Sequence, residues 1–383
     1  MKIIILIDWF APAFKGGGPI QSIVNMVENN RGEFEYRIVC GNKDLDGTVL
    51  NVRADDWVEY NTFTKVWYAS SNSDVLKVIN QTSAEWKADA LFINGLYSLH
   101  YNILPTLLAQ APRKIIALRG TLHDGALAQK SFKKKIFLRL WKVLGLHRKH
   151  EFHASNEEEK RFAEKVFGKK VKISVAANFP KYVSTLTVPP KERDRLQLIS
   201  VALISPMKNH LRVLEALQRC KTQINYDIYG PVMDADYWQK CLEQIKNLPS
   251  NISVSYNGEV PPPKVESILG TAHVFILPSQ SENFGHAIYE ALISGKPVIT
   301  SHTTPWNDLK EERAGCNVNV NAEELAQAIE FFATLSQEEF TQWSTAANRY
   351  AKARIDFEVI REEYKSMFLP AKKNSKATAQ IPA

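Results

Sequence analysis

The chain has 383 residues, more than one hydrophobic core usually organises, so two domains are expected. Its hydrophobic and charged fractions, 45% and 23%, are ordinary for a soluble globular protein, and the net charge is +7. Four scattered cysteines (Cys40, Cys220, Cys241, Cys316), with no CxxC pair and no Cys/His cluster, argue against a disulfide framework or a structural zinc site. They suit a reducing, cytoplasmic setting.

The opening "MKIIILIDWF" holds an apolar run closed by Asp8. That run is too short for a secretory signal and reads as a buried first strand. No apolar run reaches the roughly 18 residues of a membrane span. Further strands are predicted over 36–40, 90–94, 114–118 and 150–153, with a short last one within 171–180. Helices fit 20–29, 74–82 and 102–110.

The next stretch is basic. Between Asp124 and Glu151 there is no acidic residue, while Lys130, Lys133, Lys134, Lys135, Arg139, Lys142, Arg148 and Lys149 all occur. Phe132, Ile136, Phe137, Leu140, Trp141 and Leu144 interleave with them at helical spacing. One reading of 130–150 is an interfacial helix facing an anionic membrane from the inner, cytoplasmic side. The other is a solvated basic face over an ordinary core contact. No nucleic-acid-binding motif accompanies the charge, so a nucleic-acid partner is not expected.

Residues 184–194, polar and Pro-bearing, read as a linker between an N-terminal domain (1–183) and a C-terminal domain (195–352). After it the strand–helix rhythm restarts. "RLQLISVAL", "INYDIYG", "NISVSYNG", "HVFILPS" and "KPVITS" read as strands. "KNHLRVLEALQRC", "DADYWQKCLEQIKNL", "PPKVESILGTA" and "GHAIYEALISG" read as the helices between them. The expected fold class is α/β: two doubly wound Rossmann-like domains facing across a cleft, with ligand at the carboxyl ends of the strands. Residues 370–383 have nothing to bury and read as a disordered tail.

The chemistry concentrates in "SENFGHAIYEALISGKPVIT", where Glu282 and Glu290 are eight positions apart. On a helix that is about 12 Å of axis. Two glycosidase carboxylates must face one bond about 5 to 9.5 Å apart, so this pair is poorly placed for acid/base work. It is well placed to hold two ends of an elongated ligand. Between the carboxylates, the free N–H groups around Asn283, Phe284 and Gly285 form an anion site at a helix start. A nucleotide sugar has the matching order of hydroxyls, diphosphate and ribose.

In this setting E-x7-E resembles the donor signature of the family-4 glycosyltransferases (group 1 type), which have the GT-B fold and retain anomeric configuration. The resemblance implies that Glu282 contacts the donor sugar, Asn283 to Gly285 the sugar and diphosphate, and Glu290 the ribose. "LISVALISPMKNHLRVLEAL" is similar to the family segment in which an arginine and a lysine bind the diphosphate. Lys208 falls on the lysine position, whereas Leu203 stands at the arginine position. Arg212, one turn beyond Lys208, is the candidate substitute. "WFAPAFKGGGPIQSIVNMVE" resembles the family's glycine loop, with Gly16, Gly17 and Gly18 approaching donor phosphate and acceptor. In "IIALRGTLHDG", Arg119 takes the place of a family histidine near the reacting sugar, with His123 as a second candidate. "FEVIREEYKSMF" (within 353–369) is expected to form a helix that crosses back to the N-terminal domain.

What the resemblance implies is a glycosyltransferase taking a nucleotide diphosphate sugar as co-substrate, with no cofactor and no metal. Its acceptor would be a saccharide, polyprenyl-linked, as in assembly of bacterial O-antigen or other surface polysaccharide. Two rivals stand beside it. One is a GT-B relative with other nucleotide-sugar chemistry, an epimerase or sugar-phosphate synthase. The other is a binding protein that has lost donor affinity through Leu203. A hydride-transfer enzyme is disfavoured, because no dinucleotide fingerprint follows either first strand.

Overall fold

A computed structural model describes residues 1–30, 32–123, 131–181 and 186–369 of the chain. The expected tail (370–383), Lys130 and the first two residues of the 184–194 linker lie outside the described residues. The first sheet is built from β1 (Lys2–Leu6), β2 (Glu35–Gly41), β3 (Trp57–Asn61), β4 (Thr64–Ala69), β5 (Ala90–Asn94), β6 (Lys114–Ala117), β7 (Glu151–Ala154) and β8 (Lys172–Val175). Their spatial order is β3-β4-β2-β1-β5-β6-β7-β8. All neighbours are parallel except the β3–β4 hairpin at the edge.

The first sheet is covered on both faces, which is why its strands read as continuous apolar runs. Along β1 the side chains alternate: Ile3 and Ile5 join the core under α1 (Gly18–Asn29), and Ile4 and Leu6 join the core under α2 (Val75–Trp86). After β5 the chain makes one π-helical turn, Leu99–Ile103, and then the short α3 (Leu104–Leu108). The helix expected over 102–110 is thus shorter and begins irregularly, because Asn102 turns its amide onto Asn94 O (2.9 Å) and its Oδ1 onto Ser98 N (3.0 Å).

The basic stretch forms α4 (Ser131–Val143) and α5 (Leu146–Lys149). Leu138 and Trp141 are buried against Phe152 and Phe167, so one side of α4 is a normal core contact. The other side leaves Phe132, Ile136, Leu140 and Val143 exposed, two of them by three quarters (75% and 76%). Then α6 (Glu157–Phe167) follows β7, capped by Asn156, whose Oδ1 accepts from Glu159 N at 2.8 Å.

The second sheet comprises β9 (Arg195–Val201), β10 (Gln223–Tyr229), β11 (Ile252–Tyr256), β12 (Val274–Leu277), β13 (Val298–Ser301) and β14 (Gly315–Val318). It is parallel throughout, in the order β11-β10-β9-β12-β13-β14. Its helices are α7 (His210–Leu217), α8 (Ala235–Lys246), α9 (Pro262–Thr271), α10 (His286–Ile293), α11 (Ala322–Thr334) and α12 (Gln337–Arg354). Each sheet starts at its middle strand and then reverses direction. The switch lies between β1 and β5 in the first sheet and between β9 and β12 in the second. Crevices open outside the carboxyl ends of strands at such points.

The last helix, α13 (Phe357–Phe368), leaves the second domain and packs on the first. Tyr364, Met367 and Phe368 are buried in the core beneath β1 and β5, where the Phe368 ring meets Phe34 at 5.2 Å and Phe92 at 5.5 Å. Arg113 fastens the helix end by donating to Met367 O at 3.1 Å and Phe368 O at 2.5 Å. Among the described residues no helix is long and apolar enough to cross a membrane. Phe368→Ala removes a fully buried ring from this joint and is expected to cost about 3–5 kcal/mol. Denaturant unfolding checks it, and a loss below about 1 kcal/mol would show that α13 is not part of the first core.

Candidate active site

Two loops of the second domain are stitched into one wall. Asn209, in the left-handed region at φ 58°, donates from Nδ2 to Pro278 O at 2.7 Å. Gln280 donates from N to Met207 O (2.8 Å) and from Nε2 to Pro206 O (3.1 Å). This brings Lys208 and Glu282, 74 positions apart, into an ion pair of 2.5 Å. Ser279 Oγ donates to the same oxygen, Glu282 Oε1, at 2.7 Å. Among the described residues Glu282 Oε2 has no hydrogen-bond partner, and the residue lines the cavity.

Beyond this loop, α10 starts without a side-chain cap. Gly285 is its N-cap at φ 76°, and a Cβ there would press on Trp306 Nε1 at 3.2 Å. The Trp306 Nε1–H donates to Phe284 O at 2.6 Å, and its ring packs edge-on to Phe284. Trp306 therefore fixes the turn from below. The backbone N–H groups of Gly285, His286, Ala287 and Ile288 have no acceptor among the described residues, and no acidic residue occupies the first turn. A helix start of this kind attracts an anion.

A cavity of about 200 Å³ runs along this surface, and both glutamates line it. Its wall includes Gly17, Gly18, Leu203, Lys208 and Gly285. The Glu290 carboxylate makes no hydrogen bond among the described residues, and burial pushes its pKa up to about 7, against a small opposing pull from Lys181. Leu203 leaves the wall apolar where the family resemblance implies an arginine. Arg212 does not replace it: its guanidinium is exposed, paired with Glu215 at 2.7 Å, and outside the cavity. Gly16 is also outside the cavity, packed near Ile20, whereas Gly17 takes φ 65° with open space around it. Phe284 turns its ring to Trp306, Tyr289 and His286.

A second, wider cavity of about 550 Å³ lies between the domains and shares Glu282 with the first. Arg119, His123, Glu159 and Asn283 line it. Arg119 sits at φ 51°; its Nε (3.0 Å) and Nη2 (2.8 Å) donate to Asn94 Oδ1, and its Nη1 to Asn178 Oδ1 at 2.5 Å. These acceptors take up most of its fork, so Arg119 braces the cleft floor rather than offering a free clamp. His123 stands edge-on to Phe162 at 4.8 Å.

Several residues at the cleft were not anticipated from sequence. Asn156 Nδ2 donates across the domains to Asn283 O (3.1 Å) and Oδ1 (3.2 Å). Buried Glu159 accepts from Ser155 N at 2.7 Å and from Gly120 N, locking the Arg119 turn to α6. The signal for these was "SNEEEK", a cap residue followed by an acidic first turn. His286 Nε2 meets Ser22 Oγ of α1 at 3.0 Å; burial holds the ring neutral by pushing its pKa down to about 3, with Arg119 adding to the effect. No local pattern announces a contact 264 positions apart.

Glu290 has a consequence for pH dependence. Its folded carboxyl keeps its proton up to about pH 7, against an ordinary value of 4.5. Between those values the folded chain binds more protons than the unfolded one, so stability falls as pH rises. Without ligand, the thermal stability of Glu290→Gln relative to wild type is expected to rise from about pH 4.5 and level off above about pH 7. A melting-temperature difference that does not change with pH would contradict this.

Residues 187–350 match the family model described as "Glycosyl transferases group 1". None of the curated proteins matches the chain significantly. Among solved structures the chain is similar to Alr3699/HepE from Anabaena, in complex with UDP and glucose, at 16% identity and TM-score 0.68, covering 96% of this chain and 99% of that one. It is similar to sucrose-phosphate synthase from Thermosynechococcus elongatus at 14% identity and TM-score 0.70, covering 96% and 98%. It is also similar to WaaG, a glycosyltransferase involved in lipopolysaccharide biosynthesis, at 12% identity and TM-score 0.65, covering 97% and 100%. The chain thus has the GT-B fold of these solved structures, two Rossmann-like domains facing a cleft, and its residues 187–350 match the group 1 glycosyltransferase model.

Proposed function

We propose that the chain moves a sugar, with retention of configuration, from a nucleoside diphosphate sugar to a saccharide carried on a membrane lipid. One observation carries the donor side of this reading: Glu282 and Glu290 line a single cavity, with the acceptor-free amides of α10 and Lys208 between them. Glu290, unpaired and partly desolvated, is placed to accept from a ribose hydroxyl. Glu282 Oε2 is placed to accept from a sugar hydroxyl, while Oε1 stays with Lys208 and Ser279.

A leaving diphosphate gains negative charge as the glycosidic bond breaks. The positive end of α10, worth about half a unit charge, and Lys208 meet that charge where it develops. Because Lys208 is shared with Glu282 and Leu203 contributes no cation, the helix amides supply the larger share. The acceptor hydroxyl attacks from the face the diphosphate leaves, and its proton passes to a leaving phosphate oxygen, so the reading needs neither a protein base nor a metal. The wider cavity that shares Glu282 gives the acceptor room beside the reacting carbon. HepE holding UDP and glucose favours a uridine nucleotide.

The lipid side rests on α4. Phe132, Ile136, Leu140 and Val143 recur at spacings of four, four and three, forming an exposed apolar stripe. Lys133, Lys134, Lys135, Arg139 and Lys142 surround it with no carboxylate on the helix. Its opposite side is anchored by Leu138 and Trp141, and among the described residues nothing covers the stripe. An anionic bilayer on the cytoplasmic side matches it: the apolar residues enter the interface and the lysines meet headgroups. WaaG's part in lipopolysaccharide biosynthesis favours a cell-surface polysaccharide setting.

A thermal-shift screen with UDP, GDP and their sugars tests the donor. One nucleotide is expected to stabilise the wild type, by about 2.7 kcal/mol at a hundredfold excess over Kd, and Glu290→Ala and Lys208→Ala should lose most of that gain. No stabilisation by any of them would refute the donor reading. For the membrane, wild type should co-sediment with phosphatidylglycerol vesicles and not with phosphatidylcholine. A Phe132→Ser/Leu140→Ser variant should stay in the supernatant, and equal binding by that variant would refute the α4 assignment.

A further inference from the structure

The segment just before the glycine loop is held in two different ways. Its backbone belongs to the first domain: buried Asp44 accepts from Phe14 N at 3.0 Å and from Lys15 N at 3.2 Å. The Lys15 side chain instead spans the cleft. Its Nζ lies 2.7 Å from Asp46 Oδ2, in the first domain, and 2.7 Å from Glu259 Oε2, in the loop that follows β11 in the second.

The two carboxylates are not equivalent. Asp46 also accepts from Thr48 N at 3.0 Å and Thr48 Oγ1 at 2.8 Å, so it is satisfied within its own turn. Glu259 has Lys15 as its one recorded partner among the described residues. Position matters as much. Phe14 and Gly17 on one side, and Val260 on the other, line the cavity between the two glutamates. The Lys15–Glu259 pair therefore sits on the rim of that cavity, directly beside residues of its wall. Separating the domains would break this contact and leave the Asp46 contact intact.

We propose that Lys15 is a positioning residue that latches the glycine loop to the second domain through Glu259, so that closure over the cavity depends on this pair. The proposal rests on the reading of that cavity as the donor site for its catalytic meaning, though not for the latch itself. The loop then contributes to binding without touching ligand through Lys15. The carboxylates are 33% and 44% exposed, so the pair is screened by salt, and closure becomes sensitive to ionic strength. A partly exposed pair of this kind is worth roughly a fivefold change in an equilibrium.

The test uses the full chain in four variants: Lys15→Met, Glu259→Gln, the double variant, and Asp46→Asn. Hydrogen exchange without nucleotide reads the latch. Lys15→Met and Glu259→Gln should each speed exchange at residues 257–261 by roughly fivefold, the double variant no further, and Asp46→Asn should match wild type. Calorimetric titration with UDP and with GDP reads its use. The first three variants should bind the preferred nucleotide roughly fivefold more weakly at low salt, and they should lose the salt dependence that wild type has. Additive effects in the double variant, or unchanged exchange at 257–261, would overturn the latch. Faster exchange in the variants with unchanged affinity would overturn its role in binding. Failure of wild type to bind either nucleotide would instead count against the donor reading, with the exchange data still deciding the latch.

Discussion

The site depends on a helix that begins without a cap. Gly285 takes a left-handed conformation, Trp306 holds the preceding carbonyl, and four amides have no acceptor among the described residues, three of them on residues that line the cavity. Buried or half-buried N–H groups are normally paired, and leaving several unpaired costs stability unless a ligand completes them. In the proposed donor reading, that unsatisfied end, rather than the carboxylates alone, is what draws an anion to the cavity. In that reading the two glutamates that line the cavity set the length of the donor that lies across it.

The rest of the molecule arranges partners for this helix end. The crossed loops at 205–209 and 278–285 place Lys208 on Glu282. The first domain brings Gly17 and Gly18 to the opposite wall, and Ser22 meets His286 at the first turn of α10. Because α13 returns to the first core, the second domain is tied to the first through this helix. A cleft between two linked domains can close over a ligand and exclude water. Polar contacts across it among the described residues include Asn156–Asn283, Ser22–His286 and the partly exposed Lys15–Glu259 pair.

Much of the architecture was legible in sequence, because parallel strands buried on both faces leave continuous apolar runs such as "KIIIL" and "VFIL". The β3–β4 hairpin was not: β3, "WVEYN", is a short edge strand that mixes apolar and polar residues and so lacks the continuous apolar run of the buried strands. At the site, Glu282, Lys208 and Glu290 were readable because they lie in two contiguous motifs. Arg119 and Arg212 were harder, since residue type announces charge but not direction. One is absorbed by Asn94 and Asn178, and the other by its helical neighbour Glu215. Contacts made between domains, such as His286 with Ser22, carry no local signal at all. The α4 stripe was half visible: composition gave its charge, but only packing separates Trp141, turned inward, from Leu140, turned out.

A crystal structure of the chain with its preferred nucleotide sugar addresses the central claim most directly. The account requires the diphosphate within hydrogen-bond distance of the α10 amides, the ribose on Glu290, and the sugar on Glu282. A donor bound elsewhere in the cleft, with those amides hydrated and both carboxylates turned to bulk water, would contradict it.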